Sequence, residues 1–366
     1  MKKVRYILTL ALFLVAALGI SPVSAAGAAS VEAVEAAEKA GTEDVDVNEL
    51  VFGHINDAYL WHIVTLGDWH LSIHLPVIVK GDDGWHVFSS EKLEEDGEYA
   101  GFYLAKGGMY DGKLVTKNTN GEEIRPLDLS VTKNVLGMFI NGLLLVVCVL
   151  SCARWYKKHS FEEEAPRGGV GMMESLILMI YDDLIKECVG PDYRRYAPYL
   201  LTAFFFILIN NLMGLVPIFP GGANITGNIA ITFVLAMCTF IMTNVFGSKT
   251  YWKDVFWPDV PVWLKCPVPM MPVIEFFGLF TKPFALMVRL FANIMAGHAV
   301  ILSLFAIIFI TVKLGPAING PMTVISVAFA MFMTALEVLV AFIQAYVFTM
   351  LSAVFIGLSR VNEDEE

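Results

Sequence analysis

Five ionisable side chains interrupt the two longest apolar runs of this 366-residue chain. Glu275, Lys282, Arg289 and His298 fall within residues 272–312, and Glu337 within residues 321–359. A charged side chain at membrane depth costs at least about 2.5–3.5 kcal/mol, so such groups face protein or water and mark ion pathways. For Glu275, three residues from Pro272, and for Lys282, snorkelling toward a helix end is an equal alternative. It fails for Arg289, which sits 17 residues into its run, about 25 Å along a helix. A guanidinium keeps its proton in such a place. It can attract a mobile carboxylate and block proton leakage as a fixed positive charge. An imidazole and a carboxylate, by contrast, can pass a proton between them near neutral pH. The plainer reading of His298 and Glu337, a static contact holding two helices together, does not exclude that relay.

Helical geometry sets how these groups must be presented. Lys282, Leu286, Arg289, Asn293 and Ala296 follow one another at spacings of three or four and should share a face, as should Glu337 and Gln344, seven apart. The two runs hold 41 and 39 residues. As helices each would be about 60 Å long, roughly twice the thickness of the hydrocarbon layer, so they must tilt, kink or run nearly in the membrane plane. Residues 313–320 read as the turn between them. In an antiparallel hairpin, residues at equal depth lie equally far from that turn. This pairs His298 with Glu337 near the turn and Arg289 with Gln344 deeper in.

The rest of the chain supplies a membrane setting. Composition is 56% hydrophobic and only 17% charged, with mean hydropathy +0.62; soluble domains carry about 25% charged residues. A formal charge of -11 excludes a nucleic-acid binder. Lys2, Lys3 and Arg5, an apolar run to Ile20 and small residues to Ala26 make a secretory signal peptide over 1–26, an uncleaved first span being the alternative. Residues 27–133 carry 20 acidic and 8 basic side chains and form an exported segment. Its alternation from Trp69 to Val79, the Lys80–Gly84 turn, Trp85–Phe88, Gly101–Ala105 and Lys113–Lys117 predict a small β-rich cap. His54, His62, His70, His74 and His86 lie there without cysteine and with no H-x3-5-H pair on a predicted helix; His70 and His74 share one strand face, but solvated surface histidines are favoured over a metal site. All five cysteines come later, which excludes a disulfide framework in the cap. Cys148 and Cys152 read as packing residues.

The membrane domain, 134–366, should be all-α and polytopic with five spans. The first is 134–153, followed by Arg154, Lys157 and Lys158, which mark a cytoplasmic end. Residues 171–188 read as an interfacial helix. A charge-free stretch from Tyr196 to Ser248, broken by Pro217, Pro220, Gly221 and Gly222, gives spans at 197–218 and 227–247. The two long helices complete the set. The mature N-terminus lies outside and the C-terminus inside, in a bacterial inner membrane.

The run Lys282-Pro-Phe-Ala-Leu-Met-Val-Arg289-Leu-Phe-Ala-Asn293-Ile-Met-Ala-Gly297-His298, with Glu337 and Gln344-Ala-Tyr-Val-Phe-Thr-Met-Leu351, resembles the a subunit of F-type ATP synthases. Asn210-Asn-Leu-Met-Gly-Leu-Val-Pro217 fits the first hairpin of that family. The likeness covers about 134–360, and 27–133 looks like an extension of Bacteroidetes type. It implies a stator subunit lying against a ring of c subunits, with peripheral-stalk b subunits and the rest of the complex as further partners. It implies no cofactor, no metal and no catalytic residue. Arg289 would face the ring carboxylate. Asn293, His298, Glu337 and Gln344 would line an outer half-channel, and Glu275 an inner one, with Lys282 nearby. Many bacterial relatives carry the acid on the first long helix and the histidine on the last; here the order is reversed, as in mitochondrial relatives. The sequence holds no G-x-x-x-x-G-K-[ST] phosphate loop. Alternatives are a secondary transporter with a buried ion pair, a membrane scaffold, or sodium in place of the proton.

Overall fold

The computed structural model describes residues 57–360 apart from 67–68, 82, 96, 106–109, 111, 118–121, 160–165, 217–218, 258–269 and 313–314. The signal-peptide reading of 1–26, the Ala/Glu-rich stretch 27–49 and His54 lie outside the described residues.

The N-terminal part is β-rich. Strands β1 (Leu60–Leu66) and β2 (Trp69–His74) form an antiparallel hairpin. Strands β3 (Pro76–Gly81) and β4 (Gly84–Ser89) form a second hairpin, and a short helix α1 (Glu91–Glu95) follows. Strands β5 (Glu98–Tyr99), β6 (Phe102–Leu104), β7 (Leu114–Lys117) and β8 (Glu123–Ile124) make a four-stranded meander, and β9 (Leu127–Asp128) returns to pair with β3. The sequence predicts one strand from Trp69 to Val79, but the structure breaks it at Leu75–Pro76 and sends the halves to different sheets. Proline lacks the N–H that a continuing ladder needs. Val77, Val79 and Phe88 point inward onto Tyr59, Leu93, Phe102 and Leu114 to form a small core.

Helix α2 (Lys133–Lys158) leaves this segment directly. The amphipathic helix α3 (Gly169–Ile180) continues through a π turn (Tyr181–Ile185) into α4 (Lys186–Val189) and a single 3-10 turn. Leu176, Ile180, Leu184 and Val189 are buried while Asp182, Asp183, Lys186 and Glu187 are exposed, as an interfacial helix requires. Helices α5 (Tyr193–Leu215) and α6 (Ile229–Val245) form the first hairpin, and α7 (Lys249–Phe256) turns off α6 by 100°. The chain ends in two 43-residue helices, α8 (Met270–Val312) and α9 (Pro316–Leu358).

Among the described residues four helices are long and apolar enough to cross a membrane, and five if α6 with α7 counts as one span. The protein is therefore a multi-pass membrane protein. Its core is the packing of α9 on α5 and α8, centred on Leu200, Phe204, Ile207, Leu286, Leu290, Ala341 and Phe348. The turn of the long hairpin is shorter than 313–320. Gly315 takes φ 88°, and Pro316 opens α9 at its first position, where its missing N–H is no loss. At the opposite end Arg360 fastens three elements, donating from Nε to Asp192 (2.9 Å) and from Nη1 to the Phe246 carbonyl (3.0 Å).

Candidate functional site

Helix α8 carries three of the predicted polar groups within ten residues. Pro283 lies inside it without ending it. Leu286, Leu290 and Ile294 turn into the core and fix the helix's rotation. Arg289 and Asn293 consequently emerge at the surface, and His298 is largely covered. The predicted common face is therefore split: Leu286 is buried, whereas Arg289, Asn293 and Ala296 are exposed. Successive three- and four-residue steps diverge by up to about 60° around a helix, enough to straddle the edge of the core.

Helix α9 meets α8 with two polar contacts. His298 Nδ1 lies 3.2 Å from Glu337 Oε1, with the carboxylate side chain 5% exposed. Gly297 makes this approach possible: a Cβ there would stand 2.7 Å from the same Glu337 oxygen. One turn toward the open end of the hairpin, Asn293 Nδ2 donates to Gln344 Oε1 at 2.7 Å. Gln344 was expected opposite Arg289, and here the reading is corrected. At the register set by His298 and Glu337, Gln344 lies level with the midpoint between Arg289 and Asn293, and its Oε1 takes the Asn293 amide. Among the described residues Arg289 has no hydrogen-bond, ion-pair or ring partner. Its exposed neighbours on α8 are Ala285, Val288, Ala292, Asn293 and Ala296.

Lys282 and Glu275 sit further along α8, away from the turn. The Lys282 ammonium lies 5.8 Å from the Phe355 ring centre. It lines a narrow cleft with Thr239, Thr243, Asn244 and Tyr251. Glu275 is half-buried and within electrostatic reach of Tyr251. Neither residue joins the His298–Glu337 pair.

Sequence reasoning missed several polar residues that complete this arrangement. Thr239 Oγ1 lies 2.8 Å from the Tyr199 hydroxyl and 3.1 Å from Ser352 Oγ, and the Tyr251 hydroxyl donates to Asn244 Oδ1 at 3.2 Å. Asn211 donates to the Ala341 carbonyl (3.3 Å), midway between Glu337 and Gln344, and accepts from Thr226 (2.6 Å). Asn141 of α2 donates to Asn210 (2.9 Å). The available signal was the amides and hydroxyls recurring every three or four residues inside uncharged spans. Among the described residues no group of three or more His, Cys, Asp or Glu could hold a metal ion.

Comparison with known proteins places this geometry. The family described as "ATP synthase A chain" matches residues 135–357. The chain belongs to that family. ATP synthase subunit a of Chloroherpeton thalassium is 43% identical over 250 residues, spanning 66% of this chain and 70% of the relative. Subunit a of Chlorobium phaeobacteroides is 40% identical over 286 residues (73% and 80%), and that of Myxococcus xanthus 43% over 253 residues (66% and 78%). A second family, a domain of unknown function (DUF8433), matches residues 50–130. The two matches meet at the boundary between the β-rich segment and α2.

Proposed function

We propose that this chain is the proton-conducting stator subunit of an ATP synthase membrane sector, with Arg289 as its fixed charge. Family membership makes it a non-catalytic subunit of that complex; nucleotide binding is left to other subunits. The observation that carries the role of Arg289 is its isolation. It is exposed on a helix otherwise buried or apolar there, without a partner among the described residues, while Asn293 and His298 beyond it are both paired. A lone cation at membrane depth is sustained only by a partner brought from outside. Ala285, Ala292 and Ala296 beside it leave room for a neighbouring helix to come close.

A c-ring carboxylate fits that place. His298, Glu337, Asn293 and Gln344 would line an outer half-channel reaching from the turn of the long hairpin. The Lys282 cleft, with Glu275 at its edge, would serve the inner one. A proton crossing the full membrane potential gains about 2.3 kcal/mol per 100 mV. Two half-channels offset across Arg289 deliver that energy only if the ring turns. The β-rich segment then lies outside and the C-terminus inside; b subunits of the peripheral stalk are further partners.

The test is Arg289→Ala in the assembled complex, read as ATP synthesis driven by an imposed proton gradient. Synthesis should fall to background while the complex still assembles. Retained coupling would return the chain to a scaffold role.

A further inference from the structure

Among the described residues, the segment that matches a domain of unknown function meets the membrane domain at a buried contact. Trp61 of β1 is 2% exposed and packs with Ala223 and Ile225 of the loop joining α5 to α6. Its ring meets Phe219 edge-on at 5.2 Å. Gly137 of α2 closes the socket from the other side, since a Cβ there would come within 2.8 Å of the Ala223 Cβ. Polar bonds fix the same junction. Asp57 accepts from Thr132 Oγ1 (2.8 Å) and from the Asn134 amide (3.1 Å), and the Lys133 amide donates to the Ala58 carbonyl (2.9 Å).

The loop held in this way borders the histidine site. The Ala223 carbonyl and His298 Nε2 flank Gly214, at 3.5 Å and 3.8 Å from where a Cβ would stand. Asn224 on the same loop reaches Met295 of α8, Nδ2 to Sδ 3.7 Å. The charged and titratable groups around His298 are Glu337 from α9 and, within electrostatic reach, Lys133 at the start of α2. The Trp61 socket and the imidazole therefore border the same backbone position, Gly214, from two sides.

We propose that the β-rich domain is a clamp on the wall of the outer half-channel and that Trp61 is its positioning residue, holding Ala223 beside His298. The proposal rests on the proton-conducting reading above and adds a function for the appended domain. An aromatic side chain this well buried brings a large apolar area to the joint. Displacement of a positioned group by about 1 Å can cost as much as about 100-fold in rate, so a loosened loop should be felt at His298.

The experiment measures proton-driven ATP synthesis of the intact complex against the pH on the outer side, at constant inner pH. For Trp61→Ala, synthesis at the lowest outer proton concentration should drop about tenfold and the midpoint of the profile should move. Trp61→Phe should restore most of the wild-type profile. Gly137→Ala, which pushes on Ala223 from α2, should disturb the same profile and decides the matter if Trp61→Ala does not assemble. In a His298→Ala background the Trp61 substitution should add little further loss. An unchanged profile in the assembled Trp61→Ala or Gly137→Ala complex overturns the clamp. So does a full additive loss with His298→Ala. If Arg289→Ala also retains coupling, it is the proton-conducting reading that has failed; if Arg289→Ala is inactive and the profiles are unchanged, only the clamp has.

Discussion

The two halves of the α8–α9 hairpin treat polar side chains in opposite ways. Near the turn, His298 meets Glu337 and Asn293 meets Gln344, each residue facing a polar one on the other helix. Just beyond Asn293 the pattern stops, and Arg289 stands exposed beside Ala285, Val288 and Ala292, without a partner among the described residues. The difference separates a route from a contact point. Groups that answer one another inside the chain can pass a proton along. Under the function proposed above, the unanswered cation is met by a charge on another molecule, because the insertion cost of an isolated guanidinium is several kcal/mol.

That contrast can be broken or sharpened by substitution. After the complete loss expected for Arg289→Ala, the largest effect is expected at the pair itself. His298→Ala and Glu337→Ala should each lower proton-driven synthesis about 100-fold, the scale of a lost acid–base group. The exchanged protein, His298→Glu with Glu337→His, should recover much of that loss because the two side chains meet directly. A double-mutant cycle on synthesis rates measures it, and strict additivity would mean that the two groups act independently. A smaller effect is expected at Gly297→Ala. The added methyl group crowds Glu337, with an overpacking cost to stability of about 1–3 kcal/mol. Thermal unfolding of the purified complex and the synthesis rate should fall together; a neutral result would show that the helices separate there at little cost.

Much of this layout is legible in the sequence because membranes impose simple rules. Long uncharged runs become helices that cannot satisfy their backbone any other way, so the spans at 197–218 and 227–247 appear at Tyr193–Leu215 and Ile229–Val245. The His298–Glu337 contact follows from counting back from the hairpin turn. The same counting puts Gln344 level with the gap between Arg289 and Asn293, and it cannot say which of the two the amide takes; the structure pairs it with Asn293. The hydroxyl and amide contacts around Thr239, Asn244 and Asn211 are hidden for another reason. Threonine and asparagine in an apolar span bond as readily to their own helix, as Thr243 does to the Thr239 carbonyl at 2.9 Å, as to a neighbour. In the β-rich segment alternation reveals β3 and β4 but not β1. Leu60–Leu66 shows no clean period of two, and its pairing with β2 shifts register between His62 and Val64.

The central claim is that the exposed cation beside Ala292 faces a rotor helix. Single cysteines introduced at Ala292 of this chain and next to the mid-membrane carboxylate of the c subunit test it most directly, by oxidative cross-linking in intact membranes. A disulfide between the two subunits, formed at Ala292→Cys and absent for a cysteine at the lipid-exposed Leu143 of α2, is the predicted result. Cross-linking at Leu143 alone, or at neither position in a complex that still makes ATP, would contradict the account.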